Sequence, residues 1–288
     1  MLEGHTPEVF QADAPEPALA RPGALEWLLI GAVVLYAAAL IAGPMAAIVW
    51  GALSGGVAAA VGALATREAL NAMKLTLLLA TGATALNTVF GLCVAWVLVR
   101  DDFPGRRLLN ALVDLPFAVS PVIAGLMMIL LFGRTGWFKP LLDEAGVKVV
   151  FAFPGMLLAT TFVSLPFVIR EVMPVLAAAG MQQEHAAFTM GAGAWTTFRR
   201  VTLPGIRWGL IYGVTLTFAR ALGEFGAVLV VSGGVTRLTE TSTLFIFRSL
   251  DDRNDVAAFS MALALAAFSF GLLLAVELVR KRAGRGSA

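Results

Sequence analysis

The chain is poor in the residues that carry most chemistry. Among its 288 residues there is one cysteine, Cys93, and it lies in an apolar run. A lone cysteine forms no intrachain disulfide and no thiolate metal cluster. In such a run it reads as a small buried hydrophobe. Histidine occurs twice, as His5 and His185, with no partner at metal-ligand spacing, so no metal site is expected. Charged residues make up only 14% of the chain, and the net charge of +2 is spread along it, which excludes a nucleic-acid-binding surface. There is no G-x-x-x-x-G-K-[ST] loop, so the chain holds no nucleotide in the P-loop manner. H-E-x-x-H, G-x-S-x-G and any Ser/His/Asp set are missing too, which removes the common hydrolytic sites and leaves no catalytic residue to nominate. No cofactor is expected. No internal repeat is visible beyond the short Leu-Pro-Phe triplets at Leu115 and Leu165.

What the chain has is apolar length. It is 59% apolar, with a mean hydropathy of +0.84, against about 45–50% apolar for a soluble domain. Six apolar stretches are long enough to cross a bilayer, at about residues 26–50, 69–99, 108–132, 154–176, 206–231 and 256–279. The expected fold is all-α, a polytopic membrane domain over 26–280. Residues 1–25 are rich in Pro, Ala and acids, the opposite of a signal peptide's basic start, and read as a disordered tail. Residues 281–288 read as a basic tail. Trp27 and Trp50 are placed as interface anchors on the first span. Pro116 and Pro121 break the ladder of the third, Pro154 opens the fourth, and Pro166 and Pro174 interrupt it. Ser54-Gly55-Gly56 begins a turn region, Arg67 to Met73 is a more polar entry to the second span, and residues 133–153 and 233–255 read as polar connections. Six spans put both termini on one side. Placing them in the cytoplasm also puts Arg21, Arg100, Arg106, Arg107, Arg199, Arg200, Arg207 and the C-terminal cluster there, hugging the helix ends as the positive-inside rule favours.

Between the fourth and fifth spans lies the only moderately apolar stretch from Met181 to Ile206. It reads as a helix over 182–190, a turn at Gly191 and Gly193, and a second helical piece over 194–201. Leu203-Pro204 should end that piece, because proline disfavours helix in the residue before it. Phe188, Trp195 and Phe198 form an apolar side, and Arg199 and Arg200 a solvated one. The stretch is either a docking surface for a soluble partner or an amphipathic loop resting on the bilayer.

Charge inside a span costs on the order of 3 kcal/mol and marks either function or a paired structure. Arg220 and Glu224 are four apart and share a helix face. They read either as a polar patch near a substrate path or as an ion pair that fixes packing. Arg170 and Glu171 are adjacent and point to different sides, where snorkelling explains them. At 114–125, Asp-Leu-Pro-Phe-Ala-Val-Ser-Pro-Val-Ile-Ala-Gly, two prolines free backbone carbonyls beside the Ser120 hydroxyl. That stretch either lines a path or only curves the helix. Ser120, Pro121, Thr161, Ser164, Arg220 and Glu224 are the path candidates.

The order acidic residue, Ala186-Ala187, three residues, Gly191, nine residues, Val201-x-Leu203-Pro204 resembles the EAA loop of ABC importer permeases. Counting back from Gly191, the family's glutamate position is held by His185, and Glu184 sits one residue early. At about 100° per residue it points elsewhere. From about Leu70 to Val279 the chain resembles permeases of the sulfate and molybdate group. Ala219-Arg-Ala-Leu-Gly-Glu-Phe-Gly-Ala227 is similar in both kinds. The stretch at 114–125, Pro166-Phe-Val-Ile-Arg-Glu171, Arg200-Val-Thr-Leu-Pro-Gly-Ile-Arg-Trp208, Tyr212-Gly213 and Val230-Val-Ser-Gly-Gly234 look most like the W-type subunits of sulfate/thiosulfate permeases.

The resemblance implies a type I importer (MetI-like) fold in a bacterial inner membrane and a sister T-type permease subunit. It also implies two copies of a cytoplasmic ABC ATPase that does the hydrolysis, and a periplasmic sulfate/thiosulfate-binding protein. On that resemblance Glu184, His185, Ala186, Ala187, Gly191, Leu203 and Pro204 form the contact with the ATPase. A homodimeric molybdate or tungstate permease is the alternative within the family. An ion-coupled secondary transporter is the alternative outside it, and that would need unpaired intramembrane carboxylates or inverted repeats.

Overall fold

The computed structural model describes residues 23–285, excluding the side chains of residue 280 and residues 282–285. The expected N-terminal tail lies largely outside the described residues. Among them every regular element is helical, as a chain in lipid must be when no water is present to take up its N–H and C=O groups. Residues up to Ala47 form one unit, and the chain from Ile48 onward forms the other. The first holds most of α1 (Ala24–Leu53), whose apolar side chains face outward almost all round.

The second unit is built on three long helices. They are α3 (Arg67–Arg100), α7 (Phe153–Ala179) and α10 (Leu203–Leu222), and their shared core is Ala95, Leu98, Val168, Ile169, Val172 and Ile206. α3 starts at Thr66, whose hydroxyl accepts from the Ala69 amide. It runs unbroken for 34 residues, or about 51 Å at 1.5 Å per residue. α13 (Asp255–Arg285) carries the last span and continues as helix through 281–285, the described part of the expected basic tail.

Two expected spans are not single helices. The third is α4 (Arg106–Ala118) and α5 (Pro121–Phe132), bent by 111° at Val119-Ser120. Proline at the first position of α5 forces Ser120 out of helical geometry. The fifth is α10 followed, after a 55° bend, by α11 (Gly226–Ser232). The 223–225 break was not expected as one. The two expected polar connections contain helices, α6 (Lys139–Glu144) and α12 (Ser242–Asp251), and a short helix α2 (Val57–Leu64) follows the turn begun at Ser54. α12 is held from outside itself, since Glu240 accepts from Arg248 Nε at 2.5 Å. That carboxylate holds the Arg248 proton more firmly than usual.

The two bends pack on one another. α5 and α11 cross so closely that a Cβ on Gly125 would lie 2.6 Å from the Ala227 carbonyl oxygen. Ala124, Ala159, Val163, Ala227 and Val231 close the core around that crossing. Cys93, expected buried, is exposed on the outward face of α3. Gly125→Leu is expected to lower the thermal stability of the detergent-purified protein by about 1–3 kcal/mol, the usual cost of overpacking. Gly31→Leu, where nothing lies within 4 Å, should leave the melting temperature unchanged.

Candidate functional site

The segment between α7 and α10 is a folded piece pinned at three points. α8 (Gln182–Thr189) is bracketed by Gly180 and Gly191, both with left-handed φ, at 63° and 84°. Only glycine enters that region cheaply, so both corners depend on it. The Gly191 amide donates to the Phe188 carbonyl and the Ala192 amide to the Ala187 carbonyl, which closes the end of α8.

The two faces of α8 differ. Glu184 and Ala187, three residues apart, are buried. His185, Ala186, Phe188 and Met190 are exposed, and Met190 and Ala186 border a groove of about 740 Å³ with Gln183, Arg200, Pro204 and Trp208. His185 therefore occupies the outward position, and Glu184 is turned away from it. The Glu184 carboxylate accepts from Arg100 Nη2 at 3.0 Å and from the Thr202 hydroxyl at 2.8 Å. Arg100 Nη2 also donates to the Gly180 carbonyl at 2.7 Å. The two charged side chains are 6% and 7% exposed. Arg100 also lies over the Trp96 ring, Trp96 meets Phe198 edge-on, and Phe198 stacks on Trp195. A buried pair of this kind is only weakly favourable in total. Deleting one partner, however, strands a charge at a cost of about 3–5 kcal/mol.

Leu203-Pro204 does not end the helix. α9 (Ala194–Thr197) passes through a π turn, Phe198–Thr202, straight into α10. The Leu203 amide bonds to the Phe198 carbonyl, five residues back. A π turn opens the ladder just where the proline ring would clash with the preceding turn, so the helix continues through Pro204.

The intramembrane candidates divide into two groups. Arg220 Nη1 and Glu224 Oε2 are 2.8 Å apart, as their spacing implies. The other Glu224 oxygen accepts from the Ala227 amide, and the Glu224 carbonyl accepts from the Thr243 hydroxyl. Glu224 thus caps α11 at the bend and ties it to α12. Ser120 and Pro121 meet this bend from the other side, since a Cβ on Gly226 would lie 3.0 Å from Pro121 Cβ. Thr161 and Ser164 lie elsewhere, in the seam between α3 and α7. There Asn87 Nδ2 donates to the Thr161 carbonyl and to Ser164 Oγ.

Arg170 does not snorkel. Its guanidinium grips both carboxylate oxygens of Asp114 and both the side-chain and main-chain oxygens of Asn110, joining α4 to α7. Arg100, Thr202, Asn87 and Thr243 were not nominated from the sequence. Each acts on a partner at least 18 residues away, so no local pattern marks them.

Residues 87–285 match the model of the family described as "Binding-protein-dependent transport system inner membrane component". The "Sulfate transport system permease protein CysW" of Synechococcus elongatus is 47% identical over 90% of this chain and 91% of the relative. The protein of the same name from Escherichia coli K12 is 46% identical over 83% of this chain and 82% of its own. The "Sulfate transport system permease protein CysT" of that bacterium is 42% identical over 76% and 79%. Among solved structures, a chain of a bacterial ABC transporter for alginate import superposes with a TM-score of 0.74 at 17% identity, covering 90% of this chain and 96% of that one. A chain of the MetNI methionine transporter gives 0.56 at 18% identity, over 74% and 94%. These two show the shared fold, that of type I importer permeases. The chain belongs to the binding-protein-dependent inner-membrane permeases and, within that class, to the CysW-type permeases.

The Arg170 clasp gives a direct test. Asp114→Leu alone should lower the melting temperature in detergent, because it leaves a cation inside the span. Asp114→Leu with Arg170→Leu should recover part of the loss, and a double-mutant cycle measures the coupling.

Proposed function

We propose that this chain is the W-type permease subunit of an ATP-driven importer for sulfate or thiosulfate. Its partners are a T-type sister permease, two copies of an ABC ATPase on the cytosolic side, and a sulfate-binding protein outside. The identity with sulfate permeases over nine-tenths of the chain carries the substrate class. The folded segment 181–204 carries the coupling role. On this proposal residues 181–204 and both termini lie on the cytosolic side of a bacterial inner membrane.

On this reading the exposed residues of α8, His185, Ala186 and Phe188, with Met190 just beyond its end, seat in a groove of the ATPase. The binding protein delivers the oxyanion to the outer mouth. Closure of the ATPase dimer on ATP moves α8, and α7 and α10 shift the permease from inward-open to outward-open. ATP drives this only through contacts that differ between the two states. The paired bends, with Ser120, Pro121, Arg220 and Glu224, border the path. Glu224 is spent on α11, while Arg220 keeps nitrogens beyond the one it gives to Glu224. A guanidinium N–H given to a sulfate oxygen is a charge-assisted hydrogen bond, stronger than a neutral one. Glu224, the acid among the path candidates, is paired with Arg220, whereas an ion-coupled transporter needs an intramembrane carboxylate without a charge partner.

In proteoliposomes holding the full complex, radiolabelled sulfate uptake should require ATP and the binding protein. Molybdate uptake in place of sulfate would move the substrate assignment to the other oxyanion. Gly191→Leu forces a side chain into left-handed backbone. It should cut uptake at least about tenfold, a coupling loss of roughly 1.4 kcal/mol, with the protein still inserted. Unchanged uptake in that variant refutes the docking role. In a Cys93→Ser background, His185→Cys should react with an impermeant maleimide only from the cytosolic side.

A further inference from the structure

The chain connects α8 to α7 and α10, and the importer reading needs nothing more than those two connections. The side chains connect it to a third helix. Glu184 is locked to Arg100, the last residue of α3, which lies 84 positions earlier in the chain. The lock is nearly closed to solvent and has three anchors: the Arg100–Glu184 pair, the Thr202 hydroxyl from the π turn, and the Gly180 carbonyl from the corner before α8. A displacement of α8 therefore acts on the end of α3 as directly as on α7.

α3 is suited to carry that displacement. It has no proline and no break over its 34 residues. α7 carries Pro166 and Pro174, and the α4/α5 and α10/α11 pairs are bent. The far end of α3 is locked as well. The Glu68 carboxylate pairs with Arg237, in the 233–241 connection between α11 and α12. The Thr76 hydroxyl accepts from the Ser242 amide at 2.8 Å, at the start of α12. Midway, Asn87 ties α3 to α7. One rigid rod thus joins the coupling segment to the opposite face, with a polar lock at each end.

We infer that Arg100 and Glu184 are positioning residues that transmit the stroke of α8 through α3 to the outer-face connection 233–241 and α12. This rests on the importer reading above and adds a force path that the chain connectivity does not supply. Glu184 faces inward, so its task is to hold α3, while the outward face of α8 meets the ATPase.

The test uses the reconstituted complex with binding protein and measures ATP hydrolysis and sulfate uptake on the same samples. Glu184→Gln and Arg100→Met are expected to keep ATP hydrolysis within about twofold and to lower sulfate carried per ATP about tenfold. Arg100→Lys, which keeps the charge, should restore most of the ratio. Thr202→Val removes one hydrogen bond only and should give a smaller loss in the same direction, so it carries the test if Arg100→Met does not assemble. A second readout follows the far end. In a Cys93→Ser background, Leu238→Cys, 73% exposed on the 233–241 connection, should change its rate of labelling from outside when nucleotide is trapped. Glu184→Gln should abolish that change. If uptake per ATP is unaltered in Glu184→Gln, if hydrolysis and uptake fall together in proportion, or if the labelling change at Leu238→Cys survives, the transmission role is overturned while the importer reading stands. A wild-type complex with no ATP-dependent uptake overturns the importer reading itself, and the transmission role with it.

Discussion

Inside a bilayer no water is available to satisfy a free N–H or C=O group, and the described fold follows from that constraint. Helices satisfy it everywhere except at their ends and breaks. The breaks at Val119-Ser120 and at 223–225 sit against one another, with Gly226 pressed on Pro121 and Val122. Glu224 then offers a carboxylate oxygen to the otherwise unpaired Ala227 amide at the buried start of α11. Irregular backbone at membrane depth is thus covered by protein. The same arrangement brings Pro121 to the bend that Glu224 caps while paired with Arg220.

The charges inside the spans obey a related rule. A lone ion there is costly, and a paired one costs much less when its hydrogen bonds are also met. Arg170 has four oxygen contacts from Asn110 and Asp114. Arg220 has one contact to a carboxylate that is itself shared with the α11 backbone. The first pair is a saturated clasp between helices. The second leaves part of a guanidinium for something else. The number of satisfied donors, rather than the presence of charge, separates a clasp from a candidate anion contact.

The segment between α7 and α10 shows how one residue step changes a role. A rotation of about 100° separates Glu184 from His185. One faces inward to Arg100, and the other is exposed. The acidic residue therefore serves the rigidity of the segment, and a histidine stands at the surface that a partner would meet. Under the proposed coupling role that rigidity matters, because a soft loop would absorb a displacement instead of passing it on.

Much of this protein was legible in its order of residues. Long apolar runs fixed the helical class, since only a helix of that length satisfies its own backbone in lipid. The i, i+4 spacing of Arg220 and Glu224 announced their pairing, and Gly191 announced a corner. The contacts that decide how the pieces work together were not legible. Glu184 with Arg100, Arg170 with Asp114, Asn87 with Ser164 and Glu224 with Thr243 join residues from different helices. No local period encodes which helix face meets which. The continuation through Pro204 was hidden for a similar reason: a π turn pre-empts the clash that proline makes in an ordinary ladder. Sequence set what each segment had to be, and packing decided which buried polar groups found one another, because a charge in a low-dielectric interior takes whichever partner the fold brings near.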